Sequence, residues 1–172
     1  MDLREQKTLK SIRNAFLSLR SKKPLEKISV KDLAALAEIS KATFYLHYRD
    51  IYDLSEQLQD EVIRGVLASL GSPDLFLTDT LRFTEELFHA FVAQQTIIEI
   101  LFSGSQSVAL PIRIESAIRD HIFNVLPERR DDASFNIMLT YRIYGGYYAF
   151  IKNQRRFGTD TLIETVAGLS QN

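Results

Sequence analysis

Apolar residues recur three and four positions apart along most of the chain, and strand-type alternation is absent over any useful length. That spacing puts them on one face of a helix, so the pattern predicts an all-α protein. Leu9, Ile12, Phe16 and Leu19 define a first helix from about Arg4 to Ser21, with Lys7, Lys10, Arg13 and Arg20 elsewhere on it. Pro24 breaks the chain, and Leu25 and Ile28 can reach back to the same core. Ser29 is placed to cap a second helix whose stripe is Val30, Leu33, Ala34 and Ala37, with Asp32 completing a weak capping box. After a turn at Glu38-Ile39, Ser40 caps a third, very short helix from Lys41 to about His47. Asp50 caps a fourth that reaches about Leu70, with Ile51, Leu54, Leu58 and Val62 as its face.

Gly71-Ser72-Pro73 is the clearest break. Beyond it, helices are expected from Asp79 or Thr80 to about Gln95, from Thr96 to Phe102, and from about Ser107 to Leu126. Pro127 and the charged run Glu128 to Asp132 make a loop, followed by a long helix from Ala133 to Asn153 and a last one from Asp160 to Leu169. The expectation is about nine helices.

Charge divides this chain in two. Lys plus Arg total 21 and Asp plus Glu total 22, a net charge of −1. Residues 1–50 hold 11 basic and 6 acidic side chains, net +5, which leaves 10 basic and 16 acidic, net −6, in residues 51–172. That asymmetry suggests a basic contact module, 1–50, carried by an acidic helical body, 51–172. With no cysteine there is no disulfide scaffold, thiol nucleophile or Cys-based metal site. His47, His89 and His121 are far apart in sequence, so neither a metal nor another cofactor is expected. A glycine-rich phosphate loop and a Gly-x-Ser-x-Gly turn are both absent, and no convergent acid, base and nucleophile set suggests an enzyme. No apolar run approaches the roughly 18 residues of a membrane span. The first 20 residues are charged throughout, so a soluble, cytoplasmic protein with no membrane partner is expected.

The informative segment is Ser29 to Asp50. Two short capped helices joined by a tight turn present the second one outward, and Ala34 and Ala37 are small where the helices would cross. Lys41, Thr43, Tyr45 and His47 supply polar and amphipathic groups on the short helix, while Phe44 and Leu46 supply apolar bulk. A helix of that kind fits a DNA major groove about 12 Å wide. Ser29 and Ser40 stand at helix N-termini, where free N–H groups favour a phosphate.

Residues 5–54 resemble the DNA-binding domain of the TetR family of bacterial transcription regulators. The resemblance is carried by Ile28-Ser29-Val30, Leu33-Ala34, Ala37-Glu38-Ile39-Ser40, the run Thr43-Phe44-Tyr45-Leu46-His47-Tyr48, and Leu54. It extends loosely, through the helix count, over the whole chain. It implies a homodimer that binds double-stranded DNA, with Thr43 and Tyr45 at the groove or its phosphates, His47 facing the backbone and Tyr48 packing at the end of the reading helix. Ser29 and Ser40 at their helix N-termini, and Lys31, Lys41 and Arg49 by their charge, complete the candidate DNA contacts. It also implies a C-terminal domain that dimerises and often holds a small-molecule effector. Two positions depart from the family pattern. Glu38 stands where glycine is common in the turn, and Ile51 stands where a phosphate-binding lysine is common, a role open to Arg49.

Plainer readings stand beside these. Tyr48 fits equally a residue closing the three-helix core, and His47 a surface or capping residue. The adjacent Gly145 and Gly146 lie inside a predicted helix, where each costs about 1 kcal/mol relative to Ala. Close approach of another helix would offset that cost. With Tyr148, Phe150, Leu162, Val166 and Leu169 they make a candidate dimer face, intramolecular packing or a kink being the alternative. Phe83, Phe88, Phe91, Phe102, Phe123 and Tyr141 are candidate effector-lining residues, although aromatics at helical spacing are more often plain core. The competing class is a helical interaction protein, or co-activator, that uses the same fold to bind a protein partner.

Overall fold

A computed structural model describes residues 3–71 and 75–169; Ser72 and Pro73 of the expected break lie outside them. Among the described residues there are ten α-helices and no strand. The helices are α1 (Leu3–Arg20), α2 (Val30–Leu36), α3 (Lys41–Tyr45), α4 (Ile51–Ala68), α5 (Leu75–Thr78), α6 (Thr80–Ala93), α7 (Gln95–Leu101), α8 (Ala109–Val125), α9 (Ala133–Phe157) and α10 (Thr159–Leu169). The tenth, beyond the nine expected, is α5, a single turn too short to show a period. No single helix among the described residues is long and apolar enough to cross a membrane.

The chain divides into two compact units, Met1–Val62 with Thr96–Ser107, and Ile63–Gln95 with Val108–Asn172. In the first unit Ile12, Phe16, Leu25, Leu33, Phe44 and Leu54 form the fully buried centre, and Ile28, Ala34, Ala37, Ile51 and Leu58 are buried around it. The Ser11 hydroxyl donates to the Ala37 carbonyl at 2.9 Å and ties α1 to the end of α2. Three of the expected caps form. Ser29 Oγ accepts from the Asp32 amide at 3.1 Å, Ser40 Oγ from the Thr43 amide at 3.0 Å, and Asp50 Oδ1 from the Asp53 amide at 2.8 Å.

Periodicity placed Arg20 on the polar side of the first helix, but the structure buries it. Its guanidinium donates to the carbonyls of Lys23 (3.1 Å) and Ser103 (2.7 Å), which repays part of the desolvation that lowers its pKa. Gln59, fully buried on α4, donates to the Leu101 carbonyl at 3.1 Å. These two side chains tie the Thr96–Ser107 stretch to α1 and α4 within the first unit.

The second unit packs α10 against both α6 and α9, and α8 against α9. Leu162, Ile163, Val166 and Ala167 bury one face of α10. The α9 helix runs a turn past the expected Asn153 and stops at Gly158, whose φ of 83° needs a residue without a side chain. Arg119 and Glu115 on α8 pair at 3.0 Å, and both bond Thr140 of α9, at 2.6 and 3.0 Å.

Candidate nucleic-acid interface

The turn between α2 and α3 sets the angle at which α3 leaves the core. The Ile39 amide donates to the Ala34 carbonyl at 3.0 Å and the Glu38 amide to the Ala35 carbonyl at 3.3 Å. That is a Schellman ending, and its left-handed position is filled by Glu38 at φ 56°. A glutamate held at that φ carries left-handed backbone strain that a glycine would not. Replacing it by glycine should relieve about 1–2 kcal/mol of left-handed strain. Glycine gives back about 0.5–1 kcal/mol through greater chain entropy in the unfolded state. Glu38→Gly should therefore stabilise the chain by about 1 kcal/mol; a urea midpoint that does not rise contradicts this.

Five residues make α3, and one of them anchors it. Phe44 is fully buried, edge-on to Tyr45 with ring centroids 5.5 Å apart and beside Tyr48 at 5.6 Å. Tyr48 is buried, and burial together with the Glu61 and Asp53 carboxylates raises its phenol pKa. Of the two readings open for Tyr48, the core one describes its packing. Tyr45 is 57% exposed. Lys41 and Ala42 are exposed with it, while Thr43 and His47 are half-buried. Leu46, expected to add apolar bulk beside Phe44, is 81% exposed instead. It follows the last residue of α3, where the helix has already turned away from the core.

The remaining predicted contacts surround this helix. Ser29 and Lys31 are exposed at the start of α2, and Ser40 at the start of α3. Both serine hydroxyls already serve as caps, and Ser40 Oγ also lies 2.8 Å from Thr43 Oγ1. Arg49 is exposed and held to the first turn of α4. Its amide donates to Asp53 Oδ2 at 2.8 Å and its guanidinium to Oδ1 at 3.2 Å. That amide bond is the largest contribution depressing the Asp53 pKa. Ile51, at the place of the absent lysine, is buried. Sequence reasoning missed Ala42, whose exposure follows only from the direction in which Phe44 anchors the helix.

The predicted dimer residues do not form one surface. Gly146 lies against Phe88 and Val166, which a Cβ would meet at 3.5 and 3.6 Å. Phe150 stacks on Phe88 at 5.2 Å, and Leu162 and Val166 are buried. These four are thus engaged within their own chain, so for Gly146 the intramolecular alternative accounts for the close approach. Gly145, Tyr148 and Leu169 are exposed, and nothing lies within 4 Å of a Cβ on Gly145. An exposed stripe does run along α9. Ile137 (72% exposed), Tyr141 (78%), Gly145, Tyr148 and Ile151 follow one another at helical spacing.

The predicted effector-lining aromatics separate as well. Phe83 and Phe123 join one buried cluster through Phe76 and Phe135, with centroids 5.4 to 6.1 Å apart. Phe88 and Phe91 are half-buried, Phe102 lies in the other unit, and Tyr141 is exposed.

No protein-family model and no curated protein sequence matches the chain. Its fold is similar to the crystal structure of a candidate tetR family transcription regulator from Shewanella sp. PV-4. The TM-score is 0.56 and the identity 17%, over 95% of each chain. The all-α arrangement expected from periodicity is thus one that a tetR-type chain adopts over almost its whole length. At that identity the likeness is one of fold.

Proposed function

We propose that the chain is a DNA-binding transcription regulator, acting as a repressor and as a homodimer on a two-fold symmetric operator. The observation that carries this reading is α3, a short helix anchored by Phe44 that turns Lys41, Ala42, Tyr45 and Leu46 outward from a segment of net charge +5. A helix so presented can enter a major groove, and Lys31, Lys41 and Arg49 are proposed to meet phosphates beside it. In this reading residues 1–50 are the DNA-binding part and 51–172 the dimerising and effector-responsive part. The fold similarity supports it.

The second copy is proposed to dock along the exposed α9 stripe from Ile137 to Ile151, about 21 Å of helix at 1.5 Å per residue. Gly145 offers a flat place there for close approach of the partner helix. The two α3 helices would then enter successive major grooves about 34–36 Å apart. A small-molecule effector is proposed to act on the second unit and to lower operator affinity, with the coupling equal in both directions.

Selection of bound sequences from a random duplex pool tests the reading. A two-fold symmetric site is expected, with affinity that falls steeply with salt. Lys41→Ala should weaken all duplexes alike and reduce the slope of log affinity against log salt by about 1. A pool that yields no enriched site would favour the protein-binding alternative.

A further inference from the structure

The outward side of α3 and the residue after it has two edges of different chemistry. At 100° per residue, Lys41 and Tyr45 stand one turn apart on the first edge, and Ala42 and Leu46 one turn apart on the second. The first edge carries an ammonium and a phenol. The second carries only aliphatic carbon, and its Leu46 is 81% exposed, the most exposed large apolar residue among those described. The packing of the chain gives this leucine no cover, and Phe44 fixes the direction in which it points.

An edge without donors or acceptors cannot distinguish bases by hydrogen bonds. In a major groove the base feature complementary to it is the C5-methyl group of thymine, the one apolar group displayed there. Guanine, adenine and cytosine would each present a polar atom to Ala42 and Leu46 and lose a water partner without gaining another. The +5 charge of residues 1–50 supplies the attraction that brings this edge to DNA.

We infer that the Ala42–Leu46 edge packs on the C5-methyl group of a thymine in each operator half-site and specifies an A·T pair there. This rests on the proposed DNA-reading role of α3. The chemistry also separates roles along the helix, because Lys41 on the opposite edge would add affinity without choosing a base.

The experiment uses the full chain and the duplex it selects from a random pool. Each thymine of that duplex is replaced in turn by deoxyuridine, which keeps every hydrogen-bonding group and removes only the methyl. At one position per half-site the replacement should weaken binding about fourfold, the effect of one buried methyl-sized group. In Leu46→Ala, or in the double variant with Ala42→Gly, the same replacement should have no effect. Both side chains are exposed, so the variants should fold, and a thermal melt checks this. A symmetric site with no uracil-sensitive position, or a sensitivity that persists undiminished in the double variant, overturns the methyl contact and leaves the regulator reading standing. A chain that selects no duplex overturns both.

Discussion

Phe44→Ala is expected to destabilise the chain by about 3–5 kcal/mol, the usual cost of deleting a buried phenylalanine. Few single changes approach that size, and here the geometry concentrates it. Phe44 is the one fully buried residue of a five-residue helix, and its ring meets Tyr45 and Tyr48. A helix that short has no stability of its own in water. Its place depends on this side chain and on the Ser40 cap, so the cavity would release α3 as well as weaken the core. Domains of this size are stable by only about 5–15 kcal/mol. Urea unfolding should show the loss directly, and on the proposed function duplex binding should disappear with it. Leu46→Ala, two residues away and exposed, should shift stability by less than about 0.5 kcal/mol. A loss under about 1 kcal/mol for Phe44→Ala would contradict the anchoring role.

Tyr141→Arg is expected to convert the proposed dimer to monomer without unfolding it. The side chain is 78% exposed in the single chain, so a charge there is solvated and the protomer tolerates it. In a two-fold interface the substitution occurs twice. Both guanidinium groups would then be brought into an apolar stripe with no carboxylate opposite, at about 3–5 kcal/mol for each uncompensated charge. Association should weaken by at least about 10,000-fold, since two such charges cost about 6 kcal/mol or more and each 1.4 kcal/mol is a factor of ten. Sedimentation equilibrium with circular dichroism would report this as a monomer of unchanged helix content. Gly146→Arg is a contrasting case, because a side chain there runs into Phe88 and Val166 and should lower the melting temperature of the chain itself. A Tyr141→Arg chain that still dimerises would remove the α9 stripe from the interface.

Much of the fold was legible because its signals are local. The four apolar positions expected on the fourth helix, Ile51, Leu54, Leu58 and Val62, are all buried. The caps at Ser29, Ser40 and Asp50 form as expected, because a cap needs only an acceptor and an amide three residues on. The misplacements have a common physical origin. Leu46 was assigned by residue type as bulk and Arg20 by helical period as surface, yet the leucine is exposed and the arginine buried. Burial of a guanidinium depends on two carbonyls, one of them 83 positions away, and no periodicity registers that.

The same division holds for the candidate sites. Residue order alone determined the all-α class, the turn at Glu38-Ile39 and the short helix that follows it, since capping, helical period and turn length act over a few neighbours. Charge sums over 50 residues likewise marked the segment suited to phosphates. Tertiary structure decided which side of each helix is left over. Gly146 and Val166 were drawn inward by Phe88, while Ile137, Tyr141 and Gly145 stayed outside. An amphipathic stripe says that a face seeks apolar contact. Whether that contact comes from the same chain or is left for another molecule depends on how all the other helices have already been packed.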